Sequence, residues 1–127
     1  MATISISLIF KEGDLYYKTA KMPDYEPMAE NSVVGADPGD TVQWTCADES
    51  IDKINNIKVN KTKSTARNWK DIWDSKPSAT DSSKRTFEGV VKSTQPDEYE
   101  YNGYDINYKV KNGGDKEKDP EVQVPQT

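Results

Sequence analysis

A chain of 127 residues has room for one domain with a modest hydrophobic core, so we predict a single domain over residues 1–127. Hydrophobic residues make up only 33% of the chain and charged residues 31%, which predicts a strongly polar surface. The 17 basic and 22 acidic residues give a net charge of −5, and this acidic balance argues against binding to nucleic acid or to an anionic membrane.

Alternating hydrophobic residues near the N-terminus indicate the first strand. Within residues 3–10 every second side chain is hydrophobic: Ile4, Ile6, Leu8 and Phe10. This period of two predicts a strand with one buried face. Residues 15–18 suit a short second strand. Two prolines within residues 21–31 then predict a surface loop, because proline cannot donate a backbone hydrogen bond.

The middle of the chain carries the strongest signal for a core strand. A proline–glycine turn at residues 37–40 leads into residues 41–46. There Val42, Trp44 and Cys46 alternate with polar residues, which is typical of a half-buried strand. We therefore predict an all-β domain organised around this strand, with Trp44 and Cys46 in the core.

Two less regular segments follow the central strand. Residues 53–60 predict a strand, and Ile54 breaks its alternation, so we expect a bulge near residues 55–56. Residues 67–74 predict a short helical segment, because hydrophobic residues three and four positions apart share one face of a helix. Those residues are Trp69, Ile72 and Trp73.

The C-terminal third of the chain predicts strands again. Their ranges are 86–91, 98–101, 104–111 and 121–124. Asn102 and Gly103 suit a two-residue type I′ turn, so the second and third of these strands are predicted to form a hairpin. Residues 112–119 predict a charged loop.

The strand pattern predicts an antiparallel Greek-key β-sandwich of seven to nine strands. The turn and strand over residues 38–44 resemble the middle of a cupredoxin. Residues 104–110 and 119–124 resemble the last two strands of that family. The same motifs suit immunoglobulin-like sandwiches, so both strand orders remain open.

The resemblance implies a relative that lacks copper. Blue-copper proteins of that family bind the metal with two histidines, a cysteine and a weak axial ligand. The resemblance would assign the first histidine to residues 55–56, which are asparagines, and the cysteine and second histidine to residues 110–115. Cys46 lies on a different strand. We therefore expect no metal and no cofactor.

The residue types present also argue against an enzyme. The chain has no histidine, the usual general base, and a lone cysteine forms neither an intrachain disulfide nor a thiolate cluster. The N-terminus lacks the features of a secretory signal, and no stretch is apolar enough to span a bilayer. These observations predict a non-catalytic cytoplasmic protein, unless a secreted form has been trimmed of its signal.

Two adjacent groups of residues are candidate binding residues. Trp69 and Trp73 predict an aromatic platform for a sugar ring or a partner protein, with burial of both indoles as the alternative. Arg67 and Lys70 belong to a basic stretch that could contact an anion, with a solvated surface as the alternative.

A charged cluster near the C-terminus could offer oxygen ligands to calcium, but its spacing does not match a calcium-binding loop. Its acidic residues are Asp115, Glu117, Asp119 and Glu121.

The resulting hypothesis is a copper-free, cupredoxin-like binding or assembly module. We expect it to be a monomer or weak homo-oligomer with a protein or carbohydrate partner. The alternative is a carbohydrate-binding domain that uses Trp69 and Trp73.

Overall fold

The chain folds into β-strands and connecting loops. The computed structural model describes residues 2–29, 32–60 and 69–126. Its eleven strands are β1 (Thr3–Lys11), β2 (Asp14–Lys18), β3 (Glu26–Pro27), β4 (Val33–Gly35), β5 (Thr41–Cys46), β6 (Ile51–Val59), β7 (Trp73–Ala79), β8 (Thr86–Val91), β9 (Glu100–Val110), β10 (Asp115–Lys118) and β11 (Glu121–Val124). The predicted all-β class is confirmed. The strands outnumber the predicted seven to nine because β3, β7 and β10 formed where loops or a helix were predicted.

The strands form the two sheets of a β-sandwich. The first sheet has the order β3-β2-β1-β5-β8-β7, and the second has the order β10-β9-β11-β4, with β6 on the other side of β9. Most neighbouring strands are antiparallel, as predicted. β1 pairs with β5 and β4 pairs with β11 in parallel, so both sheets are mixed. The predicted bulge is confirmed, because the β6–β9 register shifts between Ile54 and Asn56.

The core lies between the sheets and is centred on Trp44 of β5. Val42, Trp44 and Cys46 are buried, as the alternation predicted. The Trp44 indole Nε1 donates a hydrogen bond to Tyr104 Oη of β9 at 3.2 Å, and both side chains are fully buried. The Trp73 ring lies 6.1 Å from the Trp44 ring, centroid to centroid. Aromatic contacts therefore join β5 and β7 of one sheet to β9 of the other.

The predicted hairpin turn at Asn102 and Gly103 is wrong. β9 runs unbroken from Glu100 to Val110 through both residues. Gly103 pairs with Glu121 of β11 and has no positive φ, which a type I′ turn would require. The Asn102 side chain is buried, where it accepts a hydrogen bond from Trp73 Nε1 at 3.0 Å and donates one to the Lys70 carbonyl at 2.7 Å. These long-range bonds hold the dipeptide in an extended strand.

The predicted helical segment near residues 67–74 is also wrong where the structure describes it. Residues 67 and 68 lie outside the described part, and residues 69–74 contain no helix. Trp69 forms a parallel bridge with Tyr101, the Lys70 amide donates to the Tyr101 carbonyl at 3.0 Å, and β7 begins at Trp73. Pairing with β9 and β8 supplies the backbone bonds that a helix would otherwise have made. Across all the described residues there is no helix, and so none long and apolar enough to cross a membrane.

We predict that Asn102→Ala lowers the free energy of unfolding by about 2–4 kcal/mol. The change removes one buried and one partly buried hydrogen bond and leaves the indole N–H of Trp73 without its acceptor. Urea unfolding followed by tryptophan fluorescence measures the loss. Asn55→Ala is the matched control, because it removes an exposed hydrogen bond to Asp115 and should cost within about 0.5 kcal/mol. Equal losses in the two variants would contradict the prediction.

Candidate functional site

Of the four residues predicted to bind, the structure describes Trp69, Lys70 and Trp73, and these three differ in exposure. Trp73 is 4% exposed and its ring packs on Trp44, so it lies in the core. Trp69 is partly exposed and Lys70 is exposed. Arg67 lies outside the described residues. Trp73 therefore offers no face to solvent beside Trp69, and only Trp69 of the two indoles is placed to contact a ligand.

Trp69 lines a surface pocket of about 420 Å³. The other lining residues come from β6, β7, β9 and the segments beside them: Lys58, Val59, Asn60, Asp71, Lys76 and Asp105. Asn60 Nδ2 donates a hydrogen bond to Asp105 Oδ1 at 2.9 Å. An aromatic ring flanked by amide, carboxylate and ammonium groups suits a polar ligand with one apolar face. The contribution of Asn60 and Asp105 was not predicted, because they are distant from Trp69 in sequence.

The positions assigned to copper ligands by the resemblance come together but do not fit copper. Asn55 Nδ2 donates to Asp115 Oδ1 at 2.9 Å, and Asn56 Oδ1 accepts from Asn107 Nδ2 at 2.7 Å. These amide and carboxylate groups are hard donors, whereas that copper site needs imidazole and thiolate. Cys46 is buried on β5, and burial raises the pKa of its thiol. It packs as a small hydrophobic residue, as predicted.

Three carboxylates converge where β10 meets β9. Carboxylate oxygens of Asp105, Glu117 and Asp119 lie within 4.8 Å of one another. Partial burial, and then the neighbouring carboxyls of Asp105 and Glu117, raises the pKa of Asp119 to about 7. With one oxygen from each, the three carboxylates supply about half of the six to eight oxygen ligands that calcium takes. Because the pKa of Asp119 is raised to about 7, the cluster can share a proton at neutral pH. Two of its members, Glu117 and Asp119, come from the charged stretch singled out in the sequence.

A second surface feature is a cleft of about 380 Å³ between β1 and β4. Its apolar lining includes Ile4, Met22 and Val34, and Glu26 is a charged lining residue. Gln126 closes one side, where its Oε1 accepts a hydrogen bond from Lys21 Nζ. Gly35 permits this closure, because a Cβ there would lie 2.5 Å from the Gln126 Cβ. The cleft was not predicted, since it depends on where strands stop pairing.

The N-terminal half of β1 exposes one backbone edge to this cleft. β1 pairs with β5 from Thr3 to Leu8, but its pairing with β2 begins only at Ser7. The Ala2 carbonyl accepts from the Thr41 amide of β5, and the Leu8 carbonyl accepts from the Ala47 amide just beyond it. The backbone N–H and C=O groups of the even-numbered residues of β1 therefore point towards β5.

Because the backbone N–H and C=O groups of successive residues alternate in direction along a strand, those of Thr3 and Ser5 point away from β5. In the described part of the chain no backbone partner meets them there.

β4 exposes the second edge. It pairs only with β11 among the described strands, in parallel. The Ser32 carbonyl accepts from the Glu121 amide, and the Ala36 amide donates to the Gln123 carbonyl. By the same alternation the backbone groups of Val33 and Gly35 point away from β11. Two open strand edges therefore line one cleft.

The chain has no match among protein-family models, curated proteins or solved structures. Function is therefore inferred from the geometry of the chain itself. Of the features described, the cleft combines unpaired backbone groups with a partly apolar lining, whereas the Trp69 pocket and the carboxylate cluster offer side chains only.

We predict that the raised pKa of Asp119 makes stability fall as pH rises from about 5 to 8. The folded chain binds more protons than the unfolded chain between pH 3.8 and about 7, so ionising this carboxyl destabilises the fold. The expected loss is about 1 to 2 kcal/mol, because the group keeps some solvent contact. Urea unfolding at both pH values measures it.

Asp119→Asn should flatten that pH dependence and stabilise the chain at pH 8, because an amide can donate to the neighbouring carboxylates. Asp97→Asn, which changes an exposed loop residue outside the cluster, is the control and should keep the wild-type slope. An Asp119→Asn variant with the wild-type slope would refute the assignment.

Proposed function

We propose that this chain is a non-catalytic binding or assembly module, a copper-free sandwich of cupredoxin type, that docks an extended strand in the cleft between β1 and β4. The observation that carries the proposal is the open edge of β1. Thr3 and Ser5 together present two N–H groups and two carbonyls beside a cleft of mixed lining, in which Ile4, Met22 and Val34 are apolar and Lys21 and Glu26 are charged. An added strand would satisfy all four groups in the manner of β-augmentation.

Two contacts support the cupredoxin-like part of the proposal. The strands that resemble the family's last two, β9 and β11, pair antiparallel. The segments that the resemblance assigns to the copper ligands are joined by the hydrogen bond from Asn55 to Asp115. Their side chains are amide and carboxylate, so the proposed module works without copper.

The other sheet edges of the described chain carry features that resist strand docking. β10 consists of four charged residues, and β3 has two residues, one of them Pro27. β7 contains Lys76, Pro77 and two register irregularities, and β6 is charged and bulged. Charge, proline, bulges and shortness each discourage edge pairing. The edges at residues 3–5 and 33–35 contain no charged residue, no proline and no bulge, and both edges line one cleft.

The docked strand should bind weakly. Four backbone hydrogen bonds contribute about 0.5–1.5 kcal/mol each, and the cleft adds a small apolar contact. The area buried by this contact is smaller than the area buried at a stable protein interface. Micromolar or weaker affinity is therefore expected, with uncharged, alternately apolar peptides preferred.

We predict that Ser5→Pro weakens binding of extended peptides about tenfold, because proline removes the Ser5 N–H and its ring projects into the open edge. Random heptapeptides displayed on phage would be selected against the wild-type chain and then measured as synthetic peptides by isothermal titration. Selected sequences should be uncharged over at least three consecutive residues. Within the fold, the described chain places no partner on that N–H, so the variant should keep the wild-type urea midpoint.

Ser82→Pro is the matched control for Ser5→Pro. Ser82 is exposed in the turn between β7 and β8, at the far end of the same sheet from β2, and proline suits that turn. Its peptide affinities should equal those of the wild type. Peptides that bind the Ser5→Pro variant as tightly as the wild type would refute strand docking at β1.

The Trp69 pocket favours carbohydrate binding as a second candidate function. Its partly exposed indole can stack on the apolar face of a sugar ring, while Asn60, Asp71 and Asp105 can bond hydroxyl groups. This candidate uses Trp69 alone, because Trp73 is buried. Protein docking at the β1 cleft and sugar binding at Trp69 involve different residues and can be tested separately.

We predict that a carbohydrate ligand would change tryptophan fluorescence through Trp69, because Trp44 and Trp73 are shielded from solvent. Cello-, xylo- and chito-oligosaccharides would be titrated against the wild type and against Trp69→Ala, which should lose about tenfold in affinity. Tyr99→Ala removes an exposed aromatic ring outside the pocket and should have no effect. No response to any oligosaccharide, or an equal loss in Tyr99→Ala, would exclude this candidate.

A further inference from the structure

We propose that Asn112, in the turn between β9 and β10, is a site of spontaneous deamidation, and that the isoaspartate formed there loosens β10. The proposal is independent of strand docking and of the Trp69 pocket. Two asparagines of the chain, Asn102 and Asn112, are followed by glycine. Glycine in that position favours the reaction, because it has no Cβ to obstruct attack on the preceding side chain. The structure places the two dipeptides in opposite environments.

The reaction consumes water and releases ammonia. The Gly113 backbone nitrogen, having lost its proton to solvent base, attacks the side-chain amide carbon of Asn112. The new N–C bond closes a succinimide ring as the bond to the amide NH2 breaks, and that group takes a proton from water and leaves as ammonia. A second water opens the ring at either carbonyl, which gives aspartate or isoaspartate. The chain and the solvent supply every atom.

The backbone of the turn explains why a labile dipeptide lies there. Asn112 has a φ of 55°, in the left-handed region, where asparagine is favoured over most other residues. A Cβ on residue 113 would overlap Val110 Cγ2, so that position needs glycine. The conformation of the turn therefore selects the same two residues that make it chemically labile.

Water and base can reach the Asn112 turn. Residues 111–117 are all exposed, and within the described part of the chain no hydrogen bond holds the Asn112 side chain. The Gly113 amide donates to the Val110 carbonyl at 3.2 Å, and this bond has to open before the nitrogen can attack. A single bond in an exposed turn opens at low cost, because water replaces the lost partner.

Asn102 is held away from the same reaction. Its side chain is fully buried, where Oδ1 accepts from Trp73 Nε1 and Nδ2 donates to the Lys70 carbonyl. The Gly103 carbonyl accepts from the Asn60 amide at 2.8 Å, within the part of β9 that pairs with β11. Turning the Asn102 side chain onto the Gly103 nitrogen would break these bonds. Reaction there has to wait until this part of β9 unfolds.

The Asn112 turn also sets the register of β10, in which residues 115–118 pair with residues 106–109 of β9. Three of the four residues of β10 are exposed, so its position depends on backbone bonds and on contacts such as the ion pair from Lys118 to Asp14 at 2.7 Å. Isoaspartate carries the main chain through the former side chain and lengthens the turn by one carbon atom. The turn then no longer matches this register, and pairing between β9 and β10 weakens.

Peptide mapping compares the two asparagines within one molecule. The purified chain would be aged at mildly alkaline pH in water enriched in heavy oxygen. Cleavage after Glu100 and Glu117 at mildly acidic pH releases residues 101–117, a single peptide that contains both sites. Mass spectrometry should find heavy oxygen at Asn112 at a rate at least about a hundredfold higher than at Asn102, because opening a core strand costs several kcal/mol. Electron-transfer fragmentation should show isoaspartate as well as aspartate at position 112.

The chain aged in guanidinium chloride is the unfolded reference, in which the two asparagines should react at comparable rates. Asn112→Gly is the matched variant, because glycine also accepts the left-handed backbone and carries no amide. It should show no heavy oxygen at position 112 and should keep the wild-type urea midpoint. Equal rates at the two sites of the folded chain would overturn the proposal. So would a folded Asn112 that stays intact while the unfolded one reacts.

Hydrogen exchange measures the effect on β10. After ageing, the amides of residues 115–118 should exchange faster than in fresh protein, while those of residues 41–46 in the core should exchange at the same rate. Asn112→Gly aged in the same way should keep its original exchange at residues 115–118. Unchanged exchange of those residues in chain that is largely isoaspartate at position 112 would refute the loosening of β10.

Discussion

The hydrogen bond from the Trp44 indole to the Tyr104 hydroxyl is the contact on which the sandwich depends. It joins β5 of one sheet to β9 of the other at the centre of the core, where neither group has access to water. An unpaired N–H or O–H there would be costly, so the two strands hold one relative position. Asn102 extends the constraint, because it ties Trp73 at the start of β7 to the same strand β9.

The open edge of β1 belongs to a strand that is paired along its other side with β5, at this fixed centre. The even-numbered residues of β1 are held by β5, which carries Trp44, while β2 pairs only with its second half. The backbone groups of Thr3 and Ser5 are thus presented in strand geometry before anything docks. A docking strand would meet a preorganised edge, and less conformational entropy would be lost on binding. Backbone hydrogen bonding needs no histidine, cysteine or metal, in keeping with the composition of the chain.

The carboxylate cluster and the Trp69 pocket share one residue. Asp105 lines the pocket and also lies within 4.8 Å of Glu117 and Asp119. A proton gained by Asp119 lowers the negative charge beside the pocket, so the electrostatic potential there depends on pH near neutrality. The β1 cleft is lined by different residues and is free of this dependence.

The sequence by itself determined which side chains are buried in the regular strands. Alternation in residues 3–10 and 41–46 placed the strands and their buried faces, and the break at Ile54 located the bulge, because a period of two is a local property of the backbone. Of the candidate site, the sequence singled out Trp69 and part of the carboxylate cluster.

Tertiary structure decided the rest. Asn102 and Gly103 have the local preferences of a turn, yet Asn102 bonds to partners 29 and 32 residues away, and those bonds keep it in a strand. The open edge at Thr3 and Ser5 likewise depends on where β2 stops pairing, which no local pattern records, since strand partners are chosen by long-range packing.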